Sequence, residues 1–286
     1  MENSRSISTM SKSNWKHPAK VIASRLQQSI INNIGIYLIV TIALIGGSIG
    51  LNNSIRFVTK NIVLVSDNLL FPPILIMVML LSLYLSLNAS IHLSKEYDRG
   101  TYEILLFGPV DTRSFILGIF FAFLSIYLFV IIIFIIWANL SIFIINLFFS
   151  FDYVLILLAS IITVGAMISF GIFIAVLGGR TRTTIIYFIL FIIIILGIQL
   201  ANQFVSSLPL VTTATSVDQI AVIRQVLEVL NYAITYISPL SLLKMMMDNI
   251  SNASLGLFAF HLLLTILQML LLLLVSHFVL KRKGAH

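Results

Sequence analysis

The chain contains little charge and no cysteine. Only 9% of its 286 residues are charged, 59% are hydrophobic, and the cysteine count is 0. Without cysteine, the chain can form no disulfide, no thiolate nucleophile and no cysteine-ligated metal site. Its mean hydropathy of +1.10 is too apolar for the surface of a soluble domain, so the composition indicates a membrane protein.

Motifs for nucleotide binding and catalysis are missing as well. The P-loop pattern G-x-x-x-x-G-K-[ST] does not occur, so any dependence on ATP requires a separate subunit. No predicted span carries an acid or base at mid-membrane depth, which is the usual mark of an ion-coupled carrier. His261 and His277 lie about four turns apart on one predicted helix and cannot hold one metal ion together. We therefore expect no catalytic, cofactor-binding or metal-binding residues, and no enzyme activity from this chain alone.

Long apolar runs predict an all-α polytopic membrane protein with six transmembrane helices. Each run approaches or exceeds the roughly 20 residues that a helix needs to cross a bilayer. Before the first run, residues 15–30 place apolar side chains at helical spacing and Lys16 and Lys20 elsewhere, which is typical of an interfacial helix. Residues 1–30 therefore form an N-terminal arm with an interfacial helix, and residues 281–286 form a tail. The predicted spans are about 31–51, 71–93, 114–136, 153–177, 185–206 and 255–280.

The distribution of positive charge predicts the orientation. The net charge of +7 does not indicate nucleic-acid binding, because the basic residues cluster at the ends of apolar runs. Of the 17 Lys and Arg residues, thirteen lie on the side that holds both termini. Cytoplasmic segments are enriched in such residues, so we expect an integral, multi-pass protein of a prokaryotic plasma membrane with both termini in the cytoplasm. The four basic residues on the other side are Arg56, Lys60, Arg224 and Lys244.

Residues 94–113, SKEYDRGTYEILLFGPVDTR, form a charged island between two apolar runs. So many acids and bases in twenty positions require water or a hydrated partner. Within the island, Thr101 is suited to cap a short helix, Glu103 favours the positive end of that helix, and Gly108-Pro109 ends it. The sequence therefore predicts a short helix at about 98–108 that protrudes into the cytoplasm.

The charged island resembles the cytoplasmic signature of type-2 ATP-binding-cassette (ABC) permeases, a family that includes multidrug, copper-maturation and gliding-type exporters. That family typically shows an acid, Arg-Gly-Thr, a further Glu, paired leucines and a Pro-Val pair. The six spans, the interfacial helix and the Ser238-Pro239-Leu240 element before the last span also look like that family. The island's matching residues are Glu96-Tyr97-Asp98-Arg99-Gly100-Thr101-Tyr102-Glu103, Leu105-Leu106 and Pro109-Val110.

The resemblance implies that the predicted short helix is a cytoplasmic coupling helix. Such a helix docks into a groove on a separate P-loop ATPase, which binds ATP and Mg, and passes the movement of the ATPase to the spans. This chain would then be a permease subunit of an exporter that pairs with a second copy of itself or with a related permease. The residues implied to dock the ATPase are Glu96, Asp98, Arg99, Gly100, Thr101, Glu103, Leu105, Leu106 and Pro109.

The resemblance also implies a substrate pathway at the dimer interface, near the first, second and fifth spans. An alternative interpretation is a non-transporting membrane subunit that anchors or helps to mature a membrane assembly and uses the same ATPase docking. On the predicted fifth span, three polar residues share one helical face, which lipid would penalise unless the face met another helix or a wet pathway. The residues predicted to line a pathway are Asn32, Asn33, Gln199, Asn202 and Gln203.

Overall fold

The computed structural model of the chain describes residues 16–61, 69–100, 111–146, 151–207 and 217–283. Every regular element in these ranges is an α-helix, which confirms the predicted fold class. The helices are α1 (Lys16–Ile31), α2 (Ile34–Asn61), α3 (Phe71–Asp98), α4 (Thr112–Ile145), α5 (Asp152–Gly178), α6 (Thr181–Ser207), α7 (Val217–Ile237), α8 (Pro239–Ser251) and α9 (Leu255–Lys283).

Six of these helices, α2 to α6 and α9, are long and apolar enough to cross a membrane. They coincide with the six predicted spans, and the molecule is therefore a multi-pass membrane protein. Most of the helices run further than the apolar runs predict. α2 continues through Gly46, Gly47 and Gly50 to Asn61, and α4 continues to Ile145, because no proline interrupts either helix where its most apolar stretch ends.

Helix α5 is the centre of the bundle. It packs most closely against α3 and α9 and also contacts α4, α6 and α8. It approaches α3 closely at Gly171, where an added Cβ would collide with the backbone oxygen of Ser86. At the same level the Ser86 hydroxyl donates a hydrogen bond of 2.5 Å to the Met167 carbonyl. Small residues thus allow two backbones to meet in the middle of the membrane.

Helix α1 and the end of α9 lie on one side of the bundle, which we call the terminal side. α1 packs against the first turns of α4, where Ile22 lies 2.9 Å from the position that a Gly118 Cβ would occupy. In the first turn of α4, Arg113 Nε donates to Nε2 of His277 on α9 at 3.4 Å. α1 and α2 are separated by a break at which Asn33 Oδ1 accepts a hydrogen bond from the Gly35 amide. The interfacial helix predicted over 15–30 corresponds to α1.

Between the last two spans, α7 and α8 meet at an angle of 90° across Ser238. Pro239 occupies the first position of α8, where its missing N–H leaves no intrahelical bond unmade, and the Ser238 hydroxyl accepts from the Ser241 amide at 3.5 Å. Gln268, near the middle of α9, donates its side-chain amide to the carbonyl of Ile237. The bend between the two helices, residues Ile237 to Leu240, is called the α7–α8 elbow, and it reaches the middle of α9. From the elbow, the 13 residues of α8 run about 20 Å toward the start of α9.

Candidate functional site

The last turn of α3 carries the described part of the predicted docking segment. α3 continues through the charged residues to Asp98, so the first five residues of the island extend a spanning helix. The Arg99 amide donates to the Lys95 carbonyl at 3.1 Å, and the Gly100 amide donates to the Tyr97 carbonyl at 3.1 Å. Gly100 then adopts a left-handed φ of 68°, which is the usual glycine stop at a helix end. Residues 98–100 therefore end α3 and do not start a separate helix, although the sequence predicted a short helix from about residue 98.

The remaining docking candidates lie outside the described residues. They are Thr101, Glu103, Leu105, Leu106 and Pro109. The segment that holds them joins the end of α3 to the start of α4 at Thr112, and both of these helix ends lie on the terminal side. The coupling helix therefore stays a prediction. The structure describes only the two helix ends between which it would lie, the end of α3 and the start of α4.

A recess of about 470 Å³ opens between α1, α3 and α4 beside the end of α3. Its charged residues come from two helices, because Arg25 projects from α1 while Lys95, Glu96 and Arg99 project from α3. Arg25, Lys95 and Arg99 are exposed, and Glu96 is half-buried. The rest of the lining consists of Ile22, Leu26, Ser29, His92, Phe115 and Ile119. Three cations and one acid thus surround an apolar floor, which is a surface suited to a protein that presents acids and an apolar anchor.

A second recess of about 630 Å³ lies on the other side of the same turn. It is lined by Tyr97 and Asp98 of α3 and by the α5–α6 turn, which includes Arg180. Asp98 Oδ2 accepts a weak hydrogen bond of 3.4 Å from the Thr181 hydroxyl in the first turn of α6. The end of α3 is therefore flanked by two recesses and linked to the start of the fifth span.

The turn between α5 and α6 is tied to the end of α9. Nζ of Lys283 donates to the carbonyls of Val176 at 2.6 Å and Leu177 at 3.3 Å. These are carbonyls at the end of α5, where a positive charge is favourable because the last carbonyls of a helix have no intrahelical partner. Gly179 follows with a left-handed φ of 66°. Hydrogen bonds and the α5–α6 turn thus connect four helix ends on the terminal side. They are the ends of α3, α5 and α9 and the start of α6.

The predicted pathway residues fall into two groups at opposite ends of the bundle. Asn32 and Asn33 lie at the α1–α2 break on the terminal side, and both are exposed. Gln199 lies near the other end of α6, where its Nε2 donates to the Ser241 hydroxyl on α8 at 3.2 Å. Asn202 is half-buried and Gln203 is exposed. The structure does not bring these five residues together, and Gln199 joins two helices.

The sequence did not single out Arg25, Lys283 or Gln268. Arg25 belongs to the N-terminal arm and Lys283 to the tail, and both are among the thirteen basic residues predicted to lie on one side. Gln268 is a single amide in the run of leucines on α9. That isolation in an apolar span is the signal that could have identified it, because such a group needs a partner inside the bilayer.

The described residues contain no cluster of three His, Cys, Asp or Glu side chains that could hold a metal ion. In comparisons with known proteins, no family model matches the chain and no curated protein matches it. The geometry is that of a multi-span helical membrane protein with a charged, recessed end, and this is compatible with a membrane transporter.

Proposed function

We propose that this chain is the permease subunit of an ABC exporter of the type-2 class and that a separate P-loop ATPase drives it from the terminal side. The observation that supports the proposal most directly is the end of α3. There the signature residues Glu96, Asp98 and Arg99 occupy the last turn of a spanning helix and the cap that follows it, between two recesses. In this proposal the terminal side is cytoplasmic.

Helix α3 is suited to carry movement into the membrane. It runs without a break over 28 residues, a length of about 42 Å. Its buried face is in close backbone contact with the central helix α5 at Ser86 and Gly171. A displacement of the Asp98 end by a closing ATPase would therefore move packed helices as a body. Such movement would shift the permease between inward-facing and outward-facing states.

A second permease chain completes the proposed transporter. α2 and α6 are among the spans that are least buried within a single chain, with apolar side chains such as Tyr37, Ile45 and Ile193 exposed. In the proposal, these faces meet a second copy or a related permease as well as lipid, and the substrate passes between the two chains. ATP and Mg are bound by the ATPase.

The test is copurification of the ATPase with full-length protein extracted from its native membrane. We expect Arg99→Glu and Gly100→Pro to leave the permease folded in the membrane but to release the ATPase or abolish its stimulated turnover. Arg282→Glu is the matched control, because it reverses a charge in the exposed last turn of α9 on the same side. The proposal is wrong if a P-loop ATPase remains bound and stimulated in both α3-end variants.

A non-transporting subunit is the second candidate. The side-chain amide of Gln199 donates a hydrogen bond to Ser241 on α8. This residue, which was predicted to line a pathway, therefore joins two helices. Both candidates require the same ATPase docking, so copurification alone does not separate them. ATP-dependent movement of a solute by the reconstituted complex would support the exporter. A complex that hydrolyses ATP and retains its ATPase but moves none of the solutes exported by the native cells would support the anchor.

A further inference from the structure

A cavity of about 250 Å³ lies within the membrane-spanning part of the bundle. Helices α3, α5, α6 and α9 surround it, and the α7–α8 elbow from Ile237 to Leu240 contributes to its wall. Gln268 is part of the lining and lies near the middle of α9, so the cavity lies at about mid-membrane depth. Within the described residues, α6 and α9 share no extensive contact, so the cavity occupies the space between these two lipid-exposed helices.

The body of the cavity is apolar and adaptable. Phe170 and Phe191 stand with ring centroids 4.5 Å apart and planes tilted by 38°, which gives a continuous aromatic wall. Met79 and Met167 add flexible thioether side chains, which adjust to different shapes. An apolar cavity of about 150 Å³ can hold a benzene ring. The larger cavity here is suited to two fused rings or to an alkyl chain of about eight carbons.

Gln268 adds one polar group with an unused acceptor. Its Nε2 donates to the carbonyl of Ile237, and this bond determines which end of the amide is nitrogen and which is oxygen. The Ile237 carbonyl is available because α7 ends there, and the Ser241 amide that would meet it in a continuous helix bonds to the Ser238 hydroxyl. Gln268 Oε1 is buried and accepts no hydrogen bond from a described residue. An acceptor without a donor is unfavourable in hydrocarbon.

We propose that this cavity binds an apolar molecule bearing one hydroxyl group, with the hydroxyl donating to Gln268 Oε1 and the apolar body against Phe170 and Phe191. A medium-chain alcohol has this chemistry, and so does the free hydroxyl with the adjoining chain of a diacylglycerol. The proposal does not depend on the ATPase, because every group in it belongs to this chain.

The test uses photolabelling of the full-length protein in phosphatidylcholine vesicles. The probe is an octanol that carries a diazirine on its chain, and the labelled residues are mapped by peptide mass spectrometry. We expect labelling to concentrate on the cavity-facing residues of α3, α5, α6, α9 and the elbow, and unlabelled 1-octanol to compete. Labelling spread evenly over the lipid-facing residues of all six spans would overturn the proposal.

Two adjacent leucines provide a matched pair of variants. Leu272 lines the cavity, whereas Leu271 is exposed on the outer face of α9. We expect Leu272→Trp to fill the cavity and reduce labelling there by about tenfold, and Leu271→Trp to leave it unchanged. Equal labelling in the two variants would overturn the site. This pair leaves Gln268 and its bond to the elbow intact.

The hydroxyl is tested with a second competitor, methyl octyl ether, which has a similar chain but no hydrogen-bond donor. On the unaltered protein, 1-octanol should compete about fivefold better than the ether, and Gln268→Met should remove that advantage. An advantage that persists in Gln268→Met would overturn the role of Gln268. Competition by dioleoylglycerol would identify a lipid as the source, and competition by 1-octanol alone would identify a smaller alcohol. Failure of both to compete would overturn the proposal.

Discussion

The membrane-spanning middle of α3 and its charged end differ in what surrounds them. In the membrane, Ser82, Ser86 and Ser90 are completely buried at four-residue spacing, on the face where Ser86 meets α5. In the last turn and its cap, Lys95 and Arg99 are exposed beside a recess. One helix therefore joins a close-packed interface, where shape decides stability, to a charged and exposed end, where the proposed ATPase would dock. Substitutions at the first region should affect the fold, and those at the second should affect partners.

The largest loss of stability is expected on substitution of Gly171. In Gly171→Ala the new methyl group would meet the Ser86 carbonyl, so α3 and α5 must separate. We expect a loss of about 3 kcal/mol or more in the free energy of unfolding. Thermal unfolding in detergent is the measurement.

Gly197→Ala on α6 is the control for Gly171→Ala, because no atom of the part of the chain that the structure describes lies within 4 Å of the added methyl group. It should leave the melting temperature unchanged or raise it slightly, since alanine favours a helix. Equal melting temperatures for the two alanine variants would mean that α3 and α5 are less closely packed than described.

A smaller loss of stability is expected on substitution of Lys283, which lies on the terminal side but stabilises the fold. Its Nζ bonds to the carbonyls at the end of α5, so Lys283→Met should cost about 1 kcal/mol of stability. Arg282→Met, which removes the neighbouring exposed charge, should have little effect. A drop in melting temperature for Lys283→Met but not for Arg282→Met would separate structural from binding charges at this side. Equal melting temperatures for the two variants would mean that the bonds of Lys283 to the end of α5 do not stabilise the fold.

Much of the fold could be predicted from the sequence because the bilayer imposes simple requirements. Each spanning helix needs a long apolar run, so the positions of the six spans followed directly. The helix over 218–236 and its end before Ser238-Pro239 could likewise be predicted, since proline ends a helix and favours the first position of the next.

The site was less predictable because it depends on contacts between distant residues. The second span was predicted to end at about residue 93, yet Lys95 to Asp98 extend α3 because no residue before Gly100 stops the helix. The recess forms only when Arg25, from an early helix, meets the end of α3. Likewise, Gln268 gains a role only through the carbonyl that the elbow leaves free. No local pattern contains such pairings.

A loss of stability no larger than that at Lys283 is expected at Gly100, which sharpens the contrast with Gly171. No atom of a described residue lies within 4 Å of an added Cβ at Gly100, so the expected cost comes from the conformational preference set by its φ of 68°. Gly100→Ala should cost about 1 kcal/mol, and Gly100→Asn should cost less because asparagine tolerates left-handed backbone. Hydrogen exchange should locate the change at the amides of Arg99 and Gly100, which close the last turn of α3. If alanine and asparagine gave the same exchange as glycine, then α3 would not end in a fixed left-handed turn, and its charged end would not be the rigid support that docking requires.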